Sequence, residues 1–391
     1  MRVAVVLEHR FRSTPDGSVW TDGPFPYSFF TRYLDQFEQV EVVARVQPSG
    51  EPGPRWACAN GDRVTFAPVP YYVGPREYLG RRQAVAAAIR QTLQRNGAVV
   101  LRAPGQLANV AAQSMIRGRR AYGAEIVGDP YDALAPGVGH GALRPLFRWQ
   151  QTRALGRLCR HAASVAYVTE FALQQRYPPA PQAFTTHYSS VELPAEAFVC
   201  EPPEPRASGP IRLITVGSME HLYKGQDVLL RALAMCRRAG LAFTLTLVGE
   251  GAKRSSLERL AERLQLAAAV RFAGQLPSGD AVRQELDQAD IFVLPSRQEG
   301  VPRAMIEAMA RGLPCLGSSV GGIPELLPES AMVPPGDATA LAGLIRRSVS
   351  AQVRQIHATR NLAAARAYEH CALQGRRREF YEQISRQTAL Q

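Results

Sequence analysis

Two carboxylates, Glu299 and Glu307, stand eight positions apart in the stretch from Ser296 to Pro314. Between them runs Gly300-Val301-Pro302. Upstream, Ile291-Phe292-Val293-Leu294 has the composition of a short buried strand. Downstream, Arg303 to Arg311 contains good helix formers and no breaker. Pro302 suits the first helical position, where a missing N–H costs little. Glu299 is therefore expected in the loop at a strand's carboxyl end, and Glu307 one to two turns into the next helix. Free N–H groups of the first turn, near Gly300 and Val301, would hold a diphosphate or another anion. The two carboxylates suit sugar hydroxyls, because they would repel phosphate. Taken alone, two glutamates so spaced are more often the solvated face of a surface helix.

A second motif lies further upstream. Val216-Gly217-Ser218 follows an apolar run, and Tyr223-Lys224-Gly225 precedes a helical stretch. A glycine turn lets backbone approach a ligand, and a lysine supplies a point charge for phosphate. Lys224 is one of only two lysines among 46 basic residues. The Glu-x7-Glu run resembles the signature of retaining glycosyltransferases of the family-4 type, whose GT-B fold has two facing Rossmann-like domains. The resemblance implies that Glu299 lies by the donor sugar and Glu307 binds the ribose of the nucleotide. It implies that Lys224 and Gly225 serve the diphosphate. The family has an arginine just after the glycine, where this chain has Ser218. Val248-Gly249-Glu250-Gly251 resembles a turn that the donor passes, and Phe272 to Leu276 a loop whose backbone holds the base. Either is also compatible with an ordinary turn. The donor set so implied is Gly217, Ser218, Lys224, Gly249, Gln275, Leu276, Glu299, Gly300, Val301 and Glu307. Val320-Gly321-Gly322 and Val333-Pro334-Pro335-Gly336 match further landmarks and read as structural turns. The resemblance covers about residues 210 to 345.

The first half matches mainly in pattern. Family members usually carry a glycine-rich loop after the first strand. Here Asp16-Gly17-Ser18 to Gly23-Pro24-Phe25-Pro26 contains glycines but no Gly-Gly pair. Many members carry a histidine at the end of a central strand, and Asp129 stands near that place. A carboxylate there would bind a sugar hydroxyl or orient the acceptor, so Asp129 joins Glu299 and Lys224 as a catalytic candidate. Asp129 and Asp132 also invite a metal reading, although Asp-Pro turns are common. The family's enzymes generally need no metal, and no cofactor is expected beyond the nucleotide-diphosphate sugar itself.

The elements that must position these residues are those of an α/β chain. Its length of 391 residues suggests two domains. Short apolar strands alternate with helical stretches from end to end, the pattern of parallel α/β layers. Strands are expected at 3–7, 40–44, 98–101, 125–128 and 165–169, then at 212–216, 244–248, 270–272, 291–294, 314–317 and 331–333. The segment 48–74, rich in proline and glycine, reads as a loop or hairpin on the acceptor side. A Pro/Gly-rich boundary at 201–210 divides an acceptor-side domain, 1–200, from a donor-binding domain, 201–371. By resemblance, a final helix at about 372–391 crosses back to the first domain.

Composition narrows the partners. The formal charge is +12. From 133 to 169 there is no acidic residue, and Arg144, Arg148, Arg153 and Arg157 fall on one broad helical face, with His140 and Arg160 nearby. That face is either solvated or a dock for an anionic membrane surface. No nucleic-acid module is recognisable. Six scattered cysteines without a CxxC pair fit a reducing compartment, hence a cytoplasmic protein, peripheral at most on the membrane's inner face. The resulting expectation is a retaining glycosyltransferase acting on an acceptor hydroxyl, such as that of a lipid-linked glycan in polysaccharide biosynthesis. By resemblance the acceptor attacks from the leaving-group face, and the phosphate takes its proton. The alternatives are a natural-product glycosyltransferase and a nucleotide-sugar epimerase of the same architecture.

Overall fold

The computed structural model describes residues 1–54, 56–134, 144–189, 191, 193–277 and 279–390. The chain divides into two compact units, one of residues 1–188 with 374–391, the other of residues 189–373.

The first unit is built on β1 (Arg2–Ser13), β2 (Val19–Thr21), β3 (Gln39–Pro48), β4 (Ala57–Cys58), β5 (Val64–Val69), β6 (Ala98–Ala103), β7 (Gly123–Ile126), β8 (Ser164–Tyr167) and β9 (Phe184–His187). A parallel sheet runs β5-β3-β1-β6-β7-β8-β9, and β2 and β4 form an antiparallel ribbon on the far end of β1. Its central strands are buried on both faces, so they read as apolar runs without alternation. One feature departs from the expectation. The segment 48–74 is more than a loop or hairpin: β5 lies within it and pairs in parallel with β3. Asp16-Gly17-Ser18 stands where the family usually carries its glycine-rich loop. It is the tip of the β1–β2 hairpin, where Asp16 accepts hydrogen bonds from the Ser18 N–H and hydroxyl.

The second unit holds a six-stranded parallel sheet of β10 (Ile211–Val216), β11 (Phe243–Val248), β12 (Val270–Gly274), β13 (Ile291–Leu294), β14 (Cys315–Ser318) and β15 (Met332–Val333), in the order β12-β11-β10-β13-β14-β15. Helices at Gln226–Arg238, Arg254–Arg263, Asp280–Asp287, Arg303–Ala310 and Ala338–Ser348 alternate with the strands. The division falls at 188/189 and not at 200/201. The intervening residues are part of the second core: Val191, Leu193, Ala197 and Phe198 are buried in it, and the Val199 N–H donates to the Ala310 carbonyl. The Pro/Gly-rich segment is itself tied down, since Arg206 pairs with the buried Asp290. The last helix, His370–Ala389, belongs to the first unit from Gln374 onward. It delivers the Tyr381 hydroxyl to the buried Glu125 on β7, 3.0 Å away.

Candidate active site of the second unit

Strand order decides where a ligand fits. From β10 the chain moves outward through β11 and β12, then returns to place β13 on the other side of β10. The switch point lies between β10 and β13, and such points open a crevice at the carboxyl ends of the strands. Lys224 follows β10 and Glu299 follows β13, so topology alone brings together two residues 75 positions apart.

The geometry there is tight. Lys224 Nζ lies 2.6 Å from Glu299 Oε1, and both side chains are largely buried. The Ser296 hydroxyl donates to the same Oε1 at 2.8 Å. The two loops are stitched together below that contact. The Arg297 N–H donates to the Tyr223 carbonyl at 2.7 Å. The Arg297 guanidinium donates to the Leu222 carbonyl and forks onto both oxygens of Asp227, each at 2.7 Å. Gly225 makes this closeness possible. Its φ is +73°, and a Cβ there would stand 2.0 Å from the Pro295 carbonyl oxygen. On the other side, Gly321 at φ +55° backs onto the Glu299 carbonyl, where a Cβ would stand at 1.9 Å. Gly322 N–H donates to the Gly300 carbonyl at 2.8 Å. The two glutamate-bearing and lysine-bearing loops are thereby held before any ligand arrives.

The helix Arg303–Ala310 begins after Pro302, which occupies the N-cap in an extended conformation and not the first helical position. No side chain caps this helix. The Met305 N–H is taken by the Pro302 carbonyl at 3.1 Å, which leaves the Arg303 and Ala304 N–H groups available to an anion. Glu307 sits in the second turn, half-buried. Burial pushes its carboxyl above the ordinary glutamate range, while the nearby Arg303 and Arg283 pull it back down. Arg303 and Ser296 are the two site residues that the sequence reading left out. Arg303 is exposed on the first helical turn. Its spacing to Glu307, one turn along the same helix, is the signal that could have found it.

The remaining donor candidates share the same sheet edge. Gly217 donates its N–H to the Val248 carbonyl, and Gly249 to the Gly274 carbonyl, so the loops after β10, β11 and β12 are hydrogen-bonded in series. The exposed Ser218 hydroxyl accepts the Glu220 N–H at 3.1 Å. Gln275 and Leu276 follow β12, with Gln275 exposed. Gly300 and Val301 lead from Glu299 into the helix.

Asp129 lies in the first unit, and its contacts give it another role. It caps the short helix Pro130–Ala133 by accepting the Tyr131 N–H at 2.8 Å. Its Oδ1 also accepts the Tyr177 hydroxyl at 2.6 Å, and Arg176 pairs with its Oδ2. Arg176 reaches Asp132 as well, at 3.2 Å, so a guanidinium occupies the place where a cation between the two would stand. These contacts are those of turn and cap chemistry, the other reading that the Asp-Pro pair allows. Of the basic face, Arg148 donates to the Tyr131 carbonyl and stacks on its ring, with 3.5 Å to the centroid, and Arg153 lies over Trp149. His140 lies outside the described residues.

Residues 210–350 match the family model of glycosyl transferases group 1. Protein CapJ of Staphylococcus aureus is 26% identical over 341 residues, covering 86% of this chain and 84% of CapJ. The amylovoran biosynthesis glycosyltransferase AmsK of Erwinia amylovora is 35% identical over 147 residues, a span of 35% of this chain and 36% of AmsK. Among solved structures, Anabaena HepE in complex with UDP-glucose superposes with a TM-score of 0.63 at 17% identity, over the full length of both chains. Residues 210–350 thus match the glycosyl transferases group 1 family, in a chain with the fold of the GT-B glycosyltransferases.

Proposed function

We propose that this chain transfers a sugar from a nucleoside-diphosphate donor to an acceptor hydroxyl, with retention of anomeric configuration, in the assembly of a polysaccharide. The carrying observation is the Lys224–Glu299 pair at the switch point, beside an uncapped helix that bears Glu307. Donor binding would exchange partners within that pair. Lys224 would turn to the diphosphate, and Glu299 would accept hydrogen bonds from the sugar. Lysine and helix amides would then face the charge that builds on the departing diphosphate. Glu307 would accept a hydrogen bond from the ribose. The donor class is supported by HepE, described with UDP-glucose, and the polysaccharide setting by the name of AmsK. No metal or further cofactor takes part in this reading. A panel of nucleotide sugars scored by thermal shift would name the donor, and proton NMR of the product would report its anomeric configuration. A panel in which none raises the melting temperature, or an inverted product, would overturn the proposal.

A lipid-linked acceptor at the cytoplasmic face of a membrane rests on a separate observation. The helix Arg144–His161 exposes Leu146, Phe147 and Trp149 among its arginines. Aromatic and aliphatic side chains that enter the lipid boundary, flanked by guanidiniums that meet anionic headgroups, make a surface anchor. Among the described residues no helix is long and apolar enough to cross a membrane.

A further inference from the structure

The first unit carries a cluster of charge that the donor site does not use. Its parallel sheet has its own switch point, between β1 and β6. The anion position at the helix that follows β6 is already filled from within: Glu8 accepts the Leu107 N–H at 2.9 Å. The same carboxylate pairs with Arg45 at 2.7 Å. Beyond Glu8, β1 does not end. After a register shift it continues beside β3, with Arg10 opposite Arg45 and Arg12 opposite Gln47. Residues 8, 10 and 12 share one face by the two-residue period of a strand. Two arginines are therefore direct partners in the strand register, like charges of which Arg45 has a carboxylate partner in Glu8.

These residues line a cavity of about 320 Å³. Three guanidiniums, Arg10, Arg12 and Arg45, face two carboxylates there, Glu8 and Asp22. Glu8 is taken up by Arg45 and the helix amide. Among the described residues, Arg10 and Arg12 have no ion-pair partner, and Asp22 pairs with neither. Arg12 rests on the Trp56 ring, 4.4 Å from its centroid, which holds its guanidinium in place. Arg45 is largely buried and its Nε has no hydrogen-bond partner. The positive charge of the cavity is thus only partly compensated by the protein itself.

We propose that this cavity binds an oxyanion, a carboxylate or a phosphate, held by Arg10 and Arg12 and carried by the acceptor. Its assignment to the acceptor rests on the glycosyltransferase reading above; the anion site itself does not. Planar guanidiniums match both oxyanions in paired, charge-assisted hydrogen bonds. An acidic sugar and a phosphorylated carrier share this chemistry.

The test titrates the full chain with inorganic phosphate, with glucuronate, and with glucose as the neutral control, read as thermal shift. We expect phosphate or glucuronate to raise the melting temperature and glucose to leave it unchanged. A response to glucuronate alone assigns an acidic sugar, and one to phosphate alone a phosphorylated carrier. In Arg10→Gln/Arg12→Gln the apparent affinity should fall by roughly tenfold or more, the loss of charge-assisted contacts. Arg148→Gln/Arg153→Gln, on a different element, should respond like the parent. Should the double variant fail to fold by circular dichroism, Arg12→Gln alone serves. No anion response in the parent, or an undiminished one in the cavity variant, overturns the site. UDP-glucose calorimetry on the same proteins keeps the two readings apart. If donor binding is absent while the anion response tracks Arg10 and Arg12, the site stands and its link to an acceptor falls.

Discussion

Glu299 and Lys224 divide their work according to what each can touch. In the free protein they neutralise each other, with Ser296 fixing the carboxylate's orientation. A ligand bearing both a sugar and a diphosphate can satisfy both groups at once. Glu299→Gln keeps the shape and the Ser296 contact but weakens the acceptor atom. We expect transfer to fall by about a hundredfold or more with the circular dichroism spectrum unchanged; turnover near the parent value would reject the assignment. Lys224→Ala removes the cation proposed to meet the diphosphate, and calorimetry should show nucleotide affinity reduced by about tenfold. Glu307 has a pH signature. Its carboxyl is raised by burial, so protonation begins above the ordinary glutamate range as pH falls. An accepting carboxylate is lost with that protonation. Nucleotide affinity should therefore decline at a higher pH than an exposed glutamate would dictate, and Glu307→Gln should flatten that limb.

At the scale of elements, the site depends on close backbone approaches as much as on its side chains. Gly225 is the joint between the lysine turn and the end of β13. In Gly225→Ala the added carbon meets the Pro295 carbonyl in a left-handed conformation, which costs on the order of 1–3 kcal/mol and spreads the two loops. Urea unfolding measures the stability part. Nucleotide binding should fall together with it, whereas a purely structural lesion elsewhere would leave affinity intact once the chain is folded. The basic helix of the first unit is tested separately. Flotation with liposomes containing anionic lipid should capture the full chain. Capture should fall in Leu146→Ser/Trp149→Ser, and again in Arg148→Gln/Arg153→Gln/Arg157→Gln, with the second effect suppressed by salt. Capture that persists in both variants would show that this face is not the dock.

At the scale of the whole molecule, buried charge holds distant segments of chain in place. Glu125 accepts hydroxyls from Tyr33, Tyr188 and Tyr381 and pairs with Arg102, so it gathers the unit's strands and the returning C-terminal helix on one carboxylate. Asp290 does the same in the second unit with Arg206 and Arg212. Burial would raise the Asp290 carboxyl, but hydrogen bonds from Arg206 and Arg212 bring it from the ordinary 3.8 to about 2. A depressed carboxyl stabilises the fold above the unfolded value and loses that contribution as pH falls through the folded one. The difference amounts to about 2 kcal/mol. The stability gap between the parent and Asp290→Asn, read by urea unfolding, should therefore narrow between pH 4 and pH 2. An equal gap at both ends would mean that the arginines do not act through its charge.

Much of the second unit is legible in the chain itself. Apolar runs bounded by glycine locate β10 to β14 within a residue or two, because parallel strands covered on both faces need such runs. The Glu299 loop and the Lys224 turn are legible for the same reason: each is the punctuation after a strand. Local sequence could not supply their contact. The pairing of Lys224 with Glu299 follows from strand order, which places β13 beside β10, and from glycines that let backbones touch. Composition misled at 48–74, where proline and glycine mask an edge strand paired on one side only. Asp129 has a different limit. A carboxylate at a strand's end looks the same in sequence whether it faces a ligand or caps a helix. Only the folded chain shows Arg176 and Tyr177 placed against it. The loops that carry the candidate residues of the second unit were thus written locally, while their partnerships, and the cluster of Arg10 with Arg45, were decided by tertiary structure, since strand register joins what sequence separates.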